Sequence, residues 1–265
     1  MEILGYTGAA LMGLSLGLIG GGGSILTVPI LVYLFSIDTV LATAYSLFIV
    51  GFTSLIGSFS HIKMGNIHWR TALVFGIPSI ISVFLTRAYL VPAIPNKLFS
   101  IGSFEITKSI ALLLLFAIIM LLASYSMIKK PKKNKPDFTE IAYNYPLILV
   151  EGLVVGVITG LVGAGGGFLI IPALVLLAHL PMKQAVGTSL IIIAAKSLIG
   201  FTGDLHGNES INWSFLMLFS VIAVVGILAG SMMSKNISNE KLKPAFGWFV
   251  LVMGIYIIIK ETLLK

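Results

Sequence analysis

Two glycine tracts, a repeated pair of hydroxyl-bearing segments and a handful of ionisable residues are the parts of this sequence that could do chemistry. The tracts read Gly17-Leu-Ile-Gly20-Gly21-Gly22-Gly23-Ser24, followed by Pro29, and Gly160-Leu-Val-Gly163-Ala164-Gly165-Gly166-Gly167, followed by Pro172. Each places four consecutive small residues inside apolar sequence, and a glycine costs a helix interior about 1 kcal/mol relative to alanine. A helix is expected to break there. Where it restarts, its first N–H groups must find partners, and together with the helix dipole they suit an anion. The restarts are expected at Ser24–Ile25 and Gly167–Phe168. Gly21, Gly22, Gly23, Ser24, Gly165, Gly166 and Gly167 are therefore candidate substrate contacts, since glycine lets an anion approach the backbone closely.

The hydroxyl segments are Ala42-Thr-Ala-Tyr45-Ser46-Leu47 and Ala185-Val-Gly-Thr188-Ser189-Leu190. Ser46, Thr188 and Ser189 can donate to an anion without adding charge, or can bond back to their own helix. Lys196 lies within an apolar segment, where a cation is costly unless partnered and marks a functional site by default. It is either a substrate contact, the partner of Glu151 or Asp204, or a side chain that snorkels towards the interface. His61, Asp204 and His206 fall where the third apolar segment of each half ends and are candidates for proton coupling, because histidine titrates in the physiological range; the alternative is that the histidines are simply loop residues.

The elements that must position these residues are membrane helices. Hydrophobic residues make up 57% of the chain, charged residues 10%, and the mean hydropathy is +1.06, against an apolar share of about 45–50% for soluble domains. Several apolar runs are long enough to span a bilayer, so the chain is expected to be an all-α, multi-pass integral membrane protein. The stretch before Ile19 lacks the basic n-region of a secretory signal. With no cysteine, disulfides and thiolate metal sites are excluded. Five of the lysines behind the net charge of +7 lie in the loop Lys129–Asn144, and basic loops are kept on the cytoplasmic side. It points to the bilayer, not to nucleic acid. No cofactor or metal is expected.

That loop divides the chain into a first membrane repeat (1–128), a basic cytoplasmic linker (129–145) and a second repeat (146–265). One shift aligns Gly13–Gly57 with Gly156–Gly200 without a gap, pairing Gly17 with Gly160, Pro29 with Pro172, Ser46 with Ser189, Thr53 with Lys196 and Gly57 with Gly200. A one-residue insertion then brings Trp69 onto Trp213. As one helix, Leu4 to Phe35 would be roughly 48 Å long, against a hydrocarbon core of about 30 Å. Either it folds back as a re-entrant hairpin, giving inverted repeats of one hairpin and three spans, or it crosses once on a tilt, giving parallel repeats of four spans. The hairpin reading places more lysine and arginine on the side of the basic linker, which favours it. Inverted repeats with broken helices are a transporter architecture with a midplane site. Gly13/Gly17 and Gly156/Gly160 read more simply as small-xxx-small packing positions.

The glycine break leading to proline, the Ala-Val-Gly-Thr-Ser-Leu segment with Ser197 and Gly200 beyond it, and His61…Gly65…Trp69-Arg70 with its copy His206-Gly207…Trp213 together resemble the TauE/SafE sulfite exporter family of membrane permeases. The resemblance covers nearly the whole chain. It implies transport of small sulfur-containing anions such as sulfite, sulfoacetate or other organosulfonates across the cytoplasmic membrane, coupled to protons. The first copy departs from the pattern at Ser24 and at Ala44-Tyr45. An anion channel, with the half-helices lining a pore, is the alternative; an intramembrane enzyme fits less well, since no His-Glu-x-x-His is present. Oligomeric state is left open.

Overall fold

The computed structural model describes residues 2–101, 104–128, 145–176, 178, 180–205, 211–233 and 239–263. His206 and the linker 129–144 lie outside them. The first half begins with α1 (Glu2–Ile19), passes through a 3-10 turn (Gly21–Leu26) and leaves as α2 (Thr27–Leu34). Then come α3 (Thr39–Lys63) and α4 (Trp69–Leu85), which continues through a π-helical turn (Thr86–Leu90) into the short α5 (Val91–Ala93). An antiparallel hairpin of β1 (Lys97–Ile101) and β2 (Phe104–Thr107) leads into α6 (Lys108–Ile128). The second half contains α7 (Tyr145–Val162), α8 (Gly167–Leu176), α9 (Met182–Asp204), α10 (Trp213–Met233) and α11 (Asn239–Leu263). Among the described residues, five stretches, α3, α4 with α5, α6, α9 and α10, are long and apolar enough to cross a membrane. The β-hairpin is the one departure from an all-helical chain among the described residues.

The first glycine tract is the tip of a fold-back. The rings of Tyr6 and Phe35 lie 5.3 Å apart at an edge-to-face angle, and a Cβ at Gly8 would meet Ile30 at 3.2 Å. The start of α1 thus lies beside the end of α2, and the segment does not run through as one long helix. In the second half, Ile148 near the start of α7 shares a hydrophobic cluster with Leu174, Ala178 and Leu180, at and beyond the end of α8.

Close helix contacts are made through residues without bulk. Gly13 and Gly17 of α1 lie against the backbone of Ala223 and Ile227 in α10, and Gly226 and Gly230 of α10 return the contact to Ala10 and Leu14. Gly156 and Gly160 of α7 lie in the same way against Ser79 and Val83 of α4. Within a bilayer, where apolar burial does not drive helices together, such backbone approach is what makes dispersion contacts dense. The residue pairs increase together along both helices, so α1 runs parallel to α10 and α7 parallel to α4. By contrast Leu47 touches Gly200, Gly51 touches Leu198 and Gly57 touches Leu190, so α3 and α9 cross antiparallel.

These two helices form the centre. In each, 72% of the apolar window is buried, against 39% in α10. They also carry much of the enclosed polarity: Thr43, Ser46, Thr53, Ser54 and Ser58 on α3, and Thr188, Ser189, Lys196 and Ser197 on α9, are all buried. The outer helices face outward with apolar side chains, as α4 does with Leu73, Ile77, Ile81 and Leu85, exposed at every fourth position. That stripe suits lipid contact. Asp38 starts α3 by accepting from Val40 N at 2.8 Å, an N-cap that satisfies an orphan donor of the first turn.

Candidate functional site

The two glycine tips meet. A Cβ added at Gly21 would fall on the backbone of Gly167, and one at Gly167 on the backbone of Gly21. They meet between matching faces of the central helices. On α9, Val186 lies against Gly20 and Ile193 against Gly165 and Gly167; on α3, Thr43 lies against Gly163 and Val50 against Gly165. Ser189 and Ser46 fall between these contacts at helical spacing, and Lys196 and Thr53 follow three residues on, so each helix offers one hydroxyl-bearing face to the tips.

The tips differ in conformation. In the second, Gly163, Gly165 and Gly166 all have positive φ (73°, 65° and 65°), a backbone that only glycine adopts at little cost, and α8 starts at Gly167. In the first, Gly20 has positive φ (78°), and the chain then winds as the 3-10 turn. Regular α-helix therefore begins at Thr27, three residues later than the sequence indicates at Ser24. The tighter i to i−3 pattern is closed by Ser24 itself, whose hydroxyl donates to Gly21 O at 2.7 Å. Gly22 and Gly23 lie within this turn.

Lys196 is fully buried beside the second tip. Its Nζ donates to Thr159 Oγ1 at 3.0 Å, and a Cβ at Gly166 would come within 2.7 Å of Nζ. Thr159 in turn donates to Val155 O at 2.5 Å, which leaves its oxygen to accept from lysine. The alternative of an ion pair with Glu151 or Asp204 is not realised. Asp204 binds Arg87, and Lys196 has no carboxylate within ion-pair distance among the described residues.

The hydroxyl segments divide. Ser46 Oγ is buried with no hydrogen-bond partner, as are Thr53 Oγ1, Ser54 Oγ and Ser197 Oγ. Ser189 donates back to Val186 O at 2.8 Å. Thr188 Oγ1 accepts the backbone N–H of His68 at 2.9 Å, and Tyr45 OH accepts that of Asn212 at 2.7 Å. Tyr45 and Thr188 are paired by the sequence alignment, and His68 and Asn212 each immediately precede the tryptophan that opens the next span. The two different residues thus perform one task, fastening the loop before Trp69 or Trp213. His61, in the last turn of α3, has its Nδ1 buried without a partner, and its Cβ lies against Gly187.

With this geometry in view, the relatives become informative. The family described as Sulfite exporter TauE/SafE matches residues 6–257. The chain belongs to that family. TauE/SafE relatives include a probable membrane transporter protein of Xylella fastidiosa (strain Temecula1), 28% identical over 253 residues that cover 94% of this chain and 91% of that protein. The probable membrane transporter protein YunE of Bacillus subtilis is 30% identical over 257 residues (91% and 89%), and MJ0441 of Methanocaldococcus jannaschii, also described as a probable membrane transporter, is 29% identical over 266 residues (94% and 92%). No solved structure matches. The chain is accordingly a multi-pass membrane transporter.

One polar centre of this TauE/SafE chain is not apparent from the tracts and hydroxyl segments alone. Arg87, in the π-helical turn after α4, is buried at 1% exposure and its Nε donates to Asp204 Oδ2 at 2.8 Å. Its Nη1 donates to Thr43 Oγ1 at 2.9 Å and to Gly160 O at 3.2 Å. Gly160 is in the last turn of α7, whose carbonyls have no intrahelical partner, so the guanidinium caps that helix at its negative end. The signal was present in the sequence as an arginine inside the apolar run Thr71–Val91, which by the default for charges in spans marks it for attention.

Proposed function

We propose that this transporter is a secondary carrier of small sulfur-containing anions, sulfite, sulfoacetate or related organosulfonates, coupled to protons at the cytoplasmic membrane and working by alternating access around the paired glycine tips. The observation that carries the proposal is the meeting of Gly21 and Gly167 beside a buried lysine with no carboxylate partner among the described residues. A desolvated cation costs several kcal/mol unless an opposite charge offsets it. An anion at the tips supplies that charge, held by Lys196, by backbone N–H groups at Gly165–Gly167 and Gly21–Gly23, and by the unpartnered hydroxyl of Ser46. Neither tip alone suffices, because a helix end contributes only about half an elementary charge.

The reading includes an inverted repeat. The contact of Gly13 with Ala223 recurs as Gly156 with Ser79, and that of Gly17 with Ile227 as Gly160 with Val83. Antiparallel crossing of α3 and α9, paired by the alignment, is what inversion requires, whereas parallel repeats would bring them side by side in one direction. For proton coupling, Asp204 is engaged by Arg87, which makes His61 the better suited of the described candidates.

Uptake of a panel of sulfite, sulfoacetate, sulfate and chloride into proteoliposomes, with and without an imposed pH gradient, tests the proposal. Saturable uptake of a sulfur anion with counterflow is the expected result. Non-saturating flux without counterflow would instead establish a pore.

A further inference from the structure

We propose that Arg87 and Lys108 form a second anion-binding station, separate from the glycine tips, which a sulfite-sized oxyanion occupies on its way to or from them. This inference rests on the transport reading above. A cavity of about 230 Å³ opens between the start of α3 and the ends of α4 and α9, lined by Arg87, Lys108 and Asp204 together with Val40, Val91 and Ile211. That volume is several times the roughly 30 Å³ occupied by a liquid water, so it accommodates a small oxyanion with part of its hydration. Two cations and one carboxylate line it, and positive charge is in excess on its walls.

The decisive group is the far end of the guanidinium. Arg87 uses Nε on Asp204 and Nη1 on Thr43 and Gly160, while its Nη2 is buried with no partner among the described residues. An arginine enclosed to 1% exposure with an unused donor nitrogen is a fork with one prong free, and guanidinium geometry matches oxyanions through such paired N–H groups. An ion pair serving stability alone would be expected to close all its donors, since a buried unsatisfied donor is costly. Asp204 holds Arg87 in place while the station is vacant and shares it when an anion enters.

The station connects with the tips through two contacts. Thr43 accepts from Arg87 and also packs against Gly163, and Gly160 O, also bound by Arg87, lies one turn before the second tip. Occupancy of the cavity and the conformation of the tip therefore act on the same residues.

Sulfite titration of the purified full-length chain by calorimetry tests this. In Lys196→Gln, which removes the charge at the tips, sulfite binding should persist with lower affinity, and adding Lys108→Gln should weaken it about tenfold further, with folding followed by thermal melting. In the otherwise unaltered chain, Lys108→Gln and Arg87→Lys should raise KM for sulfite uptake with kcat little changed, a split that loss of structure would not produce. Sulfite uptake by the unaltered chain, combined with no binding in Lys196→Gln or with unchanged affinity and KM in the Lys108 and Arg87 variants, would overturn the station and leave the transport reading standing. Absence of both uptake and binding in the unaltered chain would overturn both.

Discussion

A single methyl group at the point where the tips touch should be felt in stability and transport alike. In Gly21→Ala the new Cβ would lie 2.5 Å from the carbonyl carbon of Gly167, and in Gly167→Ala 2.5 Å from Gly21 O, where ordinary contact begins at 3.4 Å. Neither neighbour is a flexible side chain end; both are backbone at the turn of a hairpin. The tips must separate by roughly 1 Å, and overpacking of that kind costs about 1–3 kcal/mol. For a chain of this size that is roughly 2–4 °C of melting temperature per kcal/mol. The two substitutions relieve themselves by the same movement, so the double variant should cost less than the sum, with a coupling of about 0.5–3 kcal/mol. Gly76→Ala is the control, since its Cβ would meet only Ile192 at 3.7 Å in an α-helix. Thermal melts in detergent and anion uptake in proteoliposomes measure the four variants. Strict additivity, or single variants as benign as the control, would refute the contact between the tips.

Lys196→Gln should abolish anion uptake while the protein stays folded, with Lys196→Arg restoring part of it; normal transport by the glutamine variant would show that backbone N–H groups hold the anion unaided. Thr188→Val and Tyr45→Phe should each lower stability by about 1–3 kcal/mol, because the N–H of His68 or Asn212 loses its partner, and leave KM unchanged, whereas a raised KM for Thr188→Val would return that residue to the substrate site. Cysteines introduced at positions 2 and 132 should label from opposite membrane faces. Labelling from the same face would exclude the inverted arrangement.

What could be read from the sequence is what depends on neighbours along the chain. Consecutive glycines break a helix whatever lies around them, and a lysine in an apolar run is conspicuous by itself, so the tips and Lys196 were legible. The contact of Thr188 with His68, 120 residues earlier, was not legible, because a hydroxyl at the mouth of a span looks the same whether it holds a loop or a ligand. Arg87 was legible as a charge but not as a centre, since Asp204, Thr43 and Gly160 reach it only through folding. The start of α2 was misplaced because glycine breaks the α-helix without specifying what replaces it, and Ser24 closing onto Gly21 selects the 3-10 turn. The β-hairpin, joined near its open end by an exposed pair of Lys97 and Glu105 at 2.9 Å, has too little apolar alternation to be seen in advance.

The glycine-lined contacts of α1 with α10 and of α7 with α4 also bear on what counts as a unit of this protein. Each half of the sequence lends its first helix to the other half and borrows one in return. A half on its own would leave bare backbone on the faces of α1 and α4, or of α7 and α10, with nothing of its own to cover it. On the inverted-repeat reading proposed above, a single half would have to work as a pair of identical chains inserted in opposite directions, and joining two halves in one chain fixes a stoichiometry and an orientation that separate halves would have to reach by chance.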